Sequence, residues 1–549
     1  MNNWVRGFCL LFLLVFGLSS CGDKTPVDLI VFNAKVYTVD LDFTVAEAFA
    51  VQDGKFVEVG SSSFIRKKYQ SPQEIDAHGK PIYPGFIDAH AHFVRYAQTL
   101  QLADLVGTNS FAEVVDRLRA QQQKYPQSTW LLGRGWDQND WQNKDFPTND
   151  TLNKLFPDLP VLITRVDGHA ALANARALTL AGVTPASTIT GGIIEKKNGK
   201  LTGLLVDNAV DLVSDKIPAL RSRALRQAIQ AGQQNCFAVG LTTLDDAGLE
   251  KPVIDLIDSM QREGALKMRL YAMLNPSETN KAYYYKNGPY QTSRLTVRAF
   301  KIYADGALGS RGASLLHPYH DRSNETGFLL QDTASYRKIA QELHQLGFQM
   351  NTHAIGDSAN RLILDIYAKT LKTKNDQRWR IEHAQVINPE DMAKFGQYSI
   401  LPSVQPTHAT SDMYWAGERL GPERMAHAYA YQALLKQNGL LPLGSDFPVE
   451  DINPLYGFHA AVARQDAKNY PATGFQKENA LSREQALRGM TIWAAYANFE
   501  EKEKGSIEQQ KYADFVILDS DIVTLDLSKL RTVPVRQTFV NGEEVYRRP

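Results

Sequence analysis

At 549 residues, 44% hydrophobic and 22% charged, the chain has an ordinary globular composition and exceeds what one small core can organise. Roughly two to four domains are expected. Lys plus Arg and Asp plus Glu both total 60, so the formal net charge is zero, which gives no footing for a nucleic acid or a polyanionic substrate.

In chain order, Arg6 precedes an apolar run from Gly7 to Leu18, followed by Ser19, Ser20 and Cys21. A basic start, an apolar stretch of about 12 residues and small residues ahead of a cleavage point read as a signal peptide over residues 1–20. The run is too short for a bilayer span, which takes about 20 apolar residues. Cys21 after Leu-Ser-Ser resembles the bacterial lipobox. That resemblance implies cleavage before Cys21, diacylation of its sulfur and a lipoprotein held on a membrane by its acyl chains. Gly22 in the next position leans towards the outer membrane of the cell envelope, facing the periplasm. A plain secreted protein is the alternative. Cys9 leaves with the signal and Cys21 is acylated, so Cys236 stands alone; no intramolecular disulfide is expected, and Cys236 reads as a core residue.

Residues 28–38, 48–59 and 74–79 are strand-like runs separated by Asp-Gly, Gly-Ser and Gly-Lys turns. Residues 513–519 and 534–546, with an Asn541-Gly542 hairpin turn, have the same texture. Segments 21–83 and 500–549 are therefore expected to form one small β-sandwich domain built from both termini. Ile82 to Ile87 reads as a short apolar strand that delivers His90 and His92 to its C-terminal end. Side chains two apart on a strand share a face, and neutral imidazole is the commonest protein metal ligand.

Seven further apolar runs alternate with helical stretches: 240–244, 268–273, 297–303, 348–352, 379–382, 400–404 and 440–444. With 82–87 they make eight, the number that closes a (β/α)8 barrel. The predicted fold is thus α/β, a (β/α)8 TIM-like barrel over residues 84–499 plus the small β-sandwich. Roughly 145 residues separate the first two barrel strands where a βα connection needs far fewer, so about 100–235 is read as a large insertion.

Active sites of such barrels lie at the C-terminal face. The polar residues ending the strands are His90 and His92 after strand one, Lys301 on strand four, His353 on five, His383 on six and Asp446 on eight. Any one of the 12 histidines would mean little; this set at one rim is a metal-site constellation. Zinc is the default for His-rich ligation with an open position, and other transition metals also suit it.

The same order, His-X-His, Lys, His, His, Asp, resembles the amidohydrolase superfamily of metal-dependent hydrolases. Pro84-Gly-Phe-Ile-Asp-Ala-His90, Phe300-Lys-Ile-Tyr-Ala-Asp-Gly306 and Leu443-Gly-Ser-Asp-Phe-Pro448 look like its amidohydrolase 3 (YtcJ-like) branch, which includes N-substituted formamide deformylase. Phrases in the insertion resemble that branch too: Gly133-Arg-Gly-Trp-Asp137, Arg165-Val-Asp-Gly-His169 and Gly203-Leu-Leu-Val-Asp-Asn208. The resemblance implies His90 and His92 on one metal with Asp446, and His353 and His383 on a second. It also implies a carboxylated Lys301 bridging the two ions. The alternative for Lys301 is an inward ion-pairing lysine, with one ion sufficing. The expected chemistry is attack by metal-activated water on an amide-type substrate, with Asp446 as general acid and base.

His169 reads as a carbonyl-polarising or substrate-binding group reaching over from the insertion, or else as a structural histidine. Arg311 and Asp305 after strand four, and Gln405 and His408 after strand seven, face the pocket as substrate-binding candidates or brace loops. Trp136, Trp141 and Phe447 are either pocket aromatics or core. The expected activity is C–N hydrolysis of a small amide, N-substituted formamide or cyclic amide. The alternatives are an ester, lactone or phosphoester hydrolase, an isomerase or decarboxylase using the same metals, or a non-catalytic metal-binding lipoprotein. A homodimer is the commonest assembly for soluble chains.

Overall fold

The computed structural model describes residues 24–100, 102–218 and 222–549. The expected signal peptide over residues 1–20 and the expected lipid attachment at Cys21 lie outside the described residues. No helix among the described residues is long and apolar enough to cross a membrane.

Seven parallel strands follow one another around the barrel: Phe86–Ala91, Leu241–Leu249, Arg269–Leu274, Leu295–Tyr303, Gln349–Ala354, Arg380–His383 and Leu401–Ser403. Most of their residues are buried, as parallel strands sandwiched between a filled interior and covering helices must be. The eighth segment is not a laddered strand. It joins by a single bridge between Val404 and Leu443, and Ala89 N–H donates to the Leu443 carbonyl (3.1 Å), bringing the ring back to strand one. The outer helices pack by their apolar stripe. Helix Thr333–Leu346 buries Tyr336, Ile339, Ala340 and Leu343, and stops at Gly347 in the left-handed region (φ 73°).

The first predicted strand is two strands. Pro81–Pro84 pairs with Phe515–Leu518 and Lys35–Tyr37, whereas the barrel strand begins at Phe86. The break is Gly85: a Cβ there would lie 2.3 Å from Thr242 Oγ1 and 2.9 Å from its Cβ. Gly85→Ala is expected to destabilise by about 1–3 kcal/mol, because Thr242 is β-branched and cannot swing aside. Thermal unfolding of the full chain checks this; an unchanged midpoint would mean that the junction yields.

Pro81–Pro84 lies in a six-stranded sheet drawing on both ends of the chain, in the order 543–547, 535–540, 515–518, 81–84, 35–37, 45–46. A four-stranded sheet (55–60, 48–52, 29–32, 74–76) faces it. The two share a core in which Phe49 meets Phe515 edge-on at 4.9 Å and Phe515 stacks on Phe539 at 4.2 Å. Val516, Leu518 and Val540 pack instead with the barrel core. Arg269 on the third barrel strand reaches back to Asp514 (2.6 Å), with both side chains buried.

The insertion builds its own six-stranded mixed sheet, in the order 103–104, 131–136, 161–165, 170–173, 200–207, 192–197, with separate cores on its two faces. Trp136 and Trp141 sit in one of those cores and not in the pocket, and Phe447 is buried against Tyr96. Helix Ser222–Ala238, partly placed in the insertion by the sequence, belongs to the barrel layer. Its Leu225, Ile229 and Phe237 join the barrel core, and Gly232 backs onto Phe93 and Ala97. Cys236 is buried in the same helix, and burial pushes its thiol pKa up, in keeping with a core residue.

Candidate active site at the barrel rim

Strand register and a backbone hydrogen bond bring five elements to one point. Tyr303 pairs with His353, and Ala354 with His383, so the ends of strands four, five and six lie level. The backbone N–H of Asp446 donates to the His90 carbonyl (2.7 Å), which ties the eighth segment to the first strand. His383 and Asp446 both sit at positive φ (73° and 62°). Non-glycine residues held there cost free energy and concentrate at functional sites.

His90, His383 and Asp446 present donor atoms all within 4.8 Å of one another. His92 Nε2 lies 3.2 Å, and His90 Nε2 3.5 Å, from Asp446 Oδ1. Each imidazole is fixed through its other nitrogen or by its neighbours. His90 Nδ1 meets Glu382 Oε2 (2.6 Å), His92 Nδ1 the Ala247 carbonyl (2.9 Å) and His383 Nδ1 the Gln405 side-chain oxygen (2.7 Å). His353 directs Nε2 at the Gly306 carbonyl (3.4 Å) and stacks edge-on to His383 at 4.6 Å. Such partners orient metal-binding histidines and select the tautomer.

Burial pushes His92 down to about 4, and His353 and His383 well below the usual imidazole range, so all three are neutral and carry lone pairs. Burial opposes the charge of Asp446, but His92, His90 and His383 outweigh it and hold its carboxyl well below the usual range. Asp446 Oδ1 is nevertheless buried with no hydrogen-bond partner. A buried anionic oxygen left unpaired beside imidazole nitrogens is costly unless a cation completes it, so these residues fit a divalent metal. Lys301 is fully buried, 2.9 Å from His90 Nε2; burial lowers its pKa to about 8.

From the insertion, His169 leans over the rim with its ring 5.2 Å from that of His353. Its Nδ1 meets Asp207 Oδ1 at 2.6 Å. Burial would lower the His169 pKa, but the Asp207 carboxylate outweighs it and the pKa rises. Asp207 Oδ2 lies 2.6 Å and 2.5 Å from where side chains on Gly306 and Gly312 would begin, so only glycine at both positions admits it. Rim and insertion together enclose a cavity of about 930 Å³. Arg165 in its wall is buried and paired with Asp137 and with Asp167 (2.6 Å).

Of the substrate candidates, His169 and His408 line this cavity. His408 Nε2 lies 3.8 Å from Asp446 Oδ2, with its ring parallel to His383 at 5.9 Å. The other three are not part of its lining. Arg311 pairs with Asp321 (2.7 Å). Asp305 accepts the backbone N–H groups of Ser314, Ile355 and Gly356 and so ties two loops together. Gln405 holds His383 from behind. Asp207, Glu382 and Arg134 were not singled out from the sequence. Only the phrases around Arg134 and Asp207 hinted at them, because both reach the site through the folded insertion.

The family described as "Amidohydrolase family" matches residues 73–546. YtcJ of Bacillus subtilis is 30% identical over 522 residues, 93% of this chain and 98% of its own. The N-substituted formamide deformylase of Arthrobacter pascens is 26% identical, over 95% of this chain and 98% of its own. Among solved structures, a metal-dependent hydrolase from Pyrococcus horikoshii superposes with a TM-score of 0.76 at 27% identity, over 91% of this chain and 99% of that one.

Proposed function

The chain belongs to the amidohydrolase family, and from that premise we propose that it hydrolyses a C–N bond in a small amide, N-substituted formamide or cyclic amide. The observation that carries the reading is the buried, unpartnered Asp446 Oδ1 amid His90, His92 and His383. The similarity to a formamide deformylase favours the amide class.

His90, His92 and Asp446 would hold one divalent ion, with zinc the first choice, and His353 and His383 a second. Lys301 would bridge them as a carbamate or, with a single ion, act as a buried amine. When bound, such an ion polarises the carbonyl and lowers the pKa of water towards about 7. Asp446 takes the proton of the attacking water and delivers it to the nitrogen as the C–N bond breaks, which leaves a carboxylic acid and an amine. His169, held by Asp207, presents its free Nε2 to the carbonyl oxygen and supports the negative charge that develops there. Glu382 and Gln405 keep His90 and His383 in their ligating tautomers.

The test is a panel of amides, N-substituted formamides and cyclic amides against matched esters, lactones and a phosphotriester, using the full chain. Amide turnover is expected to stop on chelation and return with zinc. Turnover of esters or phosphoesters alone would move the assignment to another bond on the same scaffold. A chain that takes up no metal, even with zinc added, would be a binding lipoprotein.

A further inference from the structure

The cavity over the rim, about 930 Å³, is far larger than an amide group. Several polar side chains of its lining are already engaged. Arg165 pairs with Asp137 and Asp167, Asp412 accepts the Tyr429 hydroxyl (2.8 Å), and Glu450 accepts the Ser411 hydroxyl (2.7 Å). The apolar side chains of the lining are Tyr96, Leu100, Leu102, Val239, Ile452 and Tyr456 among others. These six come from three segments that meet beside the reaction centre. One is the helix Phe93–Thr99 with the turn leaving it, one the end of the helix Ser222–Ala238, and one the segment that follows Asp446.

The meeting is fixed by contacts. Asn235 Nδ2 donates to the Tyr96 hydroxyl (2.9 Å), and the Asp451 carboxylate acts on the same hydroxyl. The Arg531 guanidinium covers one face of the Tyr456 ring, 3.7 Å from its centroid. Leu100 is nevertheless 41% exposed, and Val106, in the same lining, 53%. Single apolar side chains in water need no explanation, but two in the wall of one concave site add to a surface that an apolar group would cover. The wall also leads onward. A second cavity of about 260 Å³, lined by Val533, Pro534 and Val535 together with Arg531 and Arg548, shares Val239 and Asn453 with the first. His353, His383 and Asp446 line the first cavity too, so a molecule held at the rim extends directly along this wall.

We propose that the wall is an arm of the active site for an extended apolar chain, so that the amide cleaved at the rim carries such a chain on its acyl or amine side. The substrate class is a fatty-chain amide. One water adds across the C–N bond, and the chain leaves with either the acid or the amine. This rests on the C–N hydrolase reading, and binding measurements keep the two separable.

Two series are compared on the zinc-loaded full chain: N-alkylformamides and N-methylalkanamides, each with chains of one to eight carbons. In wild type, kcat/KM is expected to rise roughly two- to fourfold per methylene in at least one series, from burial of each added group. Leu100→Gln should lower the ratio of the longest to the shortest substrate by roughly threefold or more. Val239→Trp, which fills the far end of the arm, should end the rise at a shorter chain. Should Val239→Trp fail to fold, the exposed Leu100→Gln decides alone. A flat profile in both series, or a rise that Leu100→Gln leaves unchanged, overturns the arm. If no amide is turned over, calorimetric binding of the same series decides. Affinity that grows with chain length and weakens in Leu100→Gln keeps the arm while the hydrolase reading falls; affinity independent of length removes it.

Discussion

Asp446→Asn is expected to keep the fold and lower kcat by roughly 10²- to 10⁴-fold, the range for removing a positioned proton-transfer group. The fold should survive because the backbone of residue 446 is held by its N–H to the His90 carbonyl. Asparagine also tolerates the positive φ of 62°. The chemistry should not survive. The amide matches the carboxylate in shape but cannot accept the water's proton, and it removes a negative charge set among His90, His92 and His383. Loss of that charge also weakens metal binding, so kcat is measured at saturating zinc, with metal content per chain determined on the same sample. Slow turnover at full metal occupancy assigns the proton transfer to Asp446. Slow turnover that more zinc repairs would leave Asp446 as a ligand alone. Full activity would rule out both roles.

What could be read before folding depends on how local each feature is. The barrel strands are apolar runs, and the candidate ligands end them, so His90, His92, Lys301, His353, His383 and Asp446 are legible together. The split at Gly85 is marked in sequence only by the Pro84-Gly85 pair within the apolar stretch Ile82–Ile87, which serves two sheets, and the close approach of Thr242 fixes glycine there. Arg311 and Asp305 lie near the end of strand four in sequence, but the loop folds away: one is taken up by Asp321, the other by three backbone N–H groups. Conversely, Asp207 and Arg134 carry no local signal of their targets. Their neighbours are set by a six-stranded sheet whose pairing partners lie tens of residues apart. Trp136 and Trp141 follow the commoner fate of large aromatics and fill a core.

The insertion's contribution to the chemistry is tested at Asp207. Asp207→Asn is expected to lower kcat by roughly 10- to 100-fold, and the double variant with His169→Ala to be no slower than His169→Ala alone, because residues acting as one unit are not additive. Asp207 takes its backbone N–H to the His169 carbonyl (2.7 Å) and its Oδ1 to His169 Nδ1 (2.6 Å), so it fixes both the strand and the ring. Asparagine, equal in size, preserves the first contact. It loses the charge that supports a positive imidazole facing a developing oxyanion. A merely structural Asp207, wedged against Gly306 and Gly312, predicts another pattern: a lower unfolding midpoint, with kcat loss in the double variant equal to the product of the single losses. Additive losses would therefore detach Asp207 from catalysis and leave it as the peg that seats the insertion on the barrel. Non-additive losses at an unchanged midpoint would make the insertion part of the reaction centre, its acid–base partner supplied from outside the barrel.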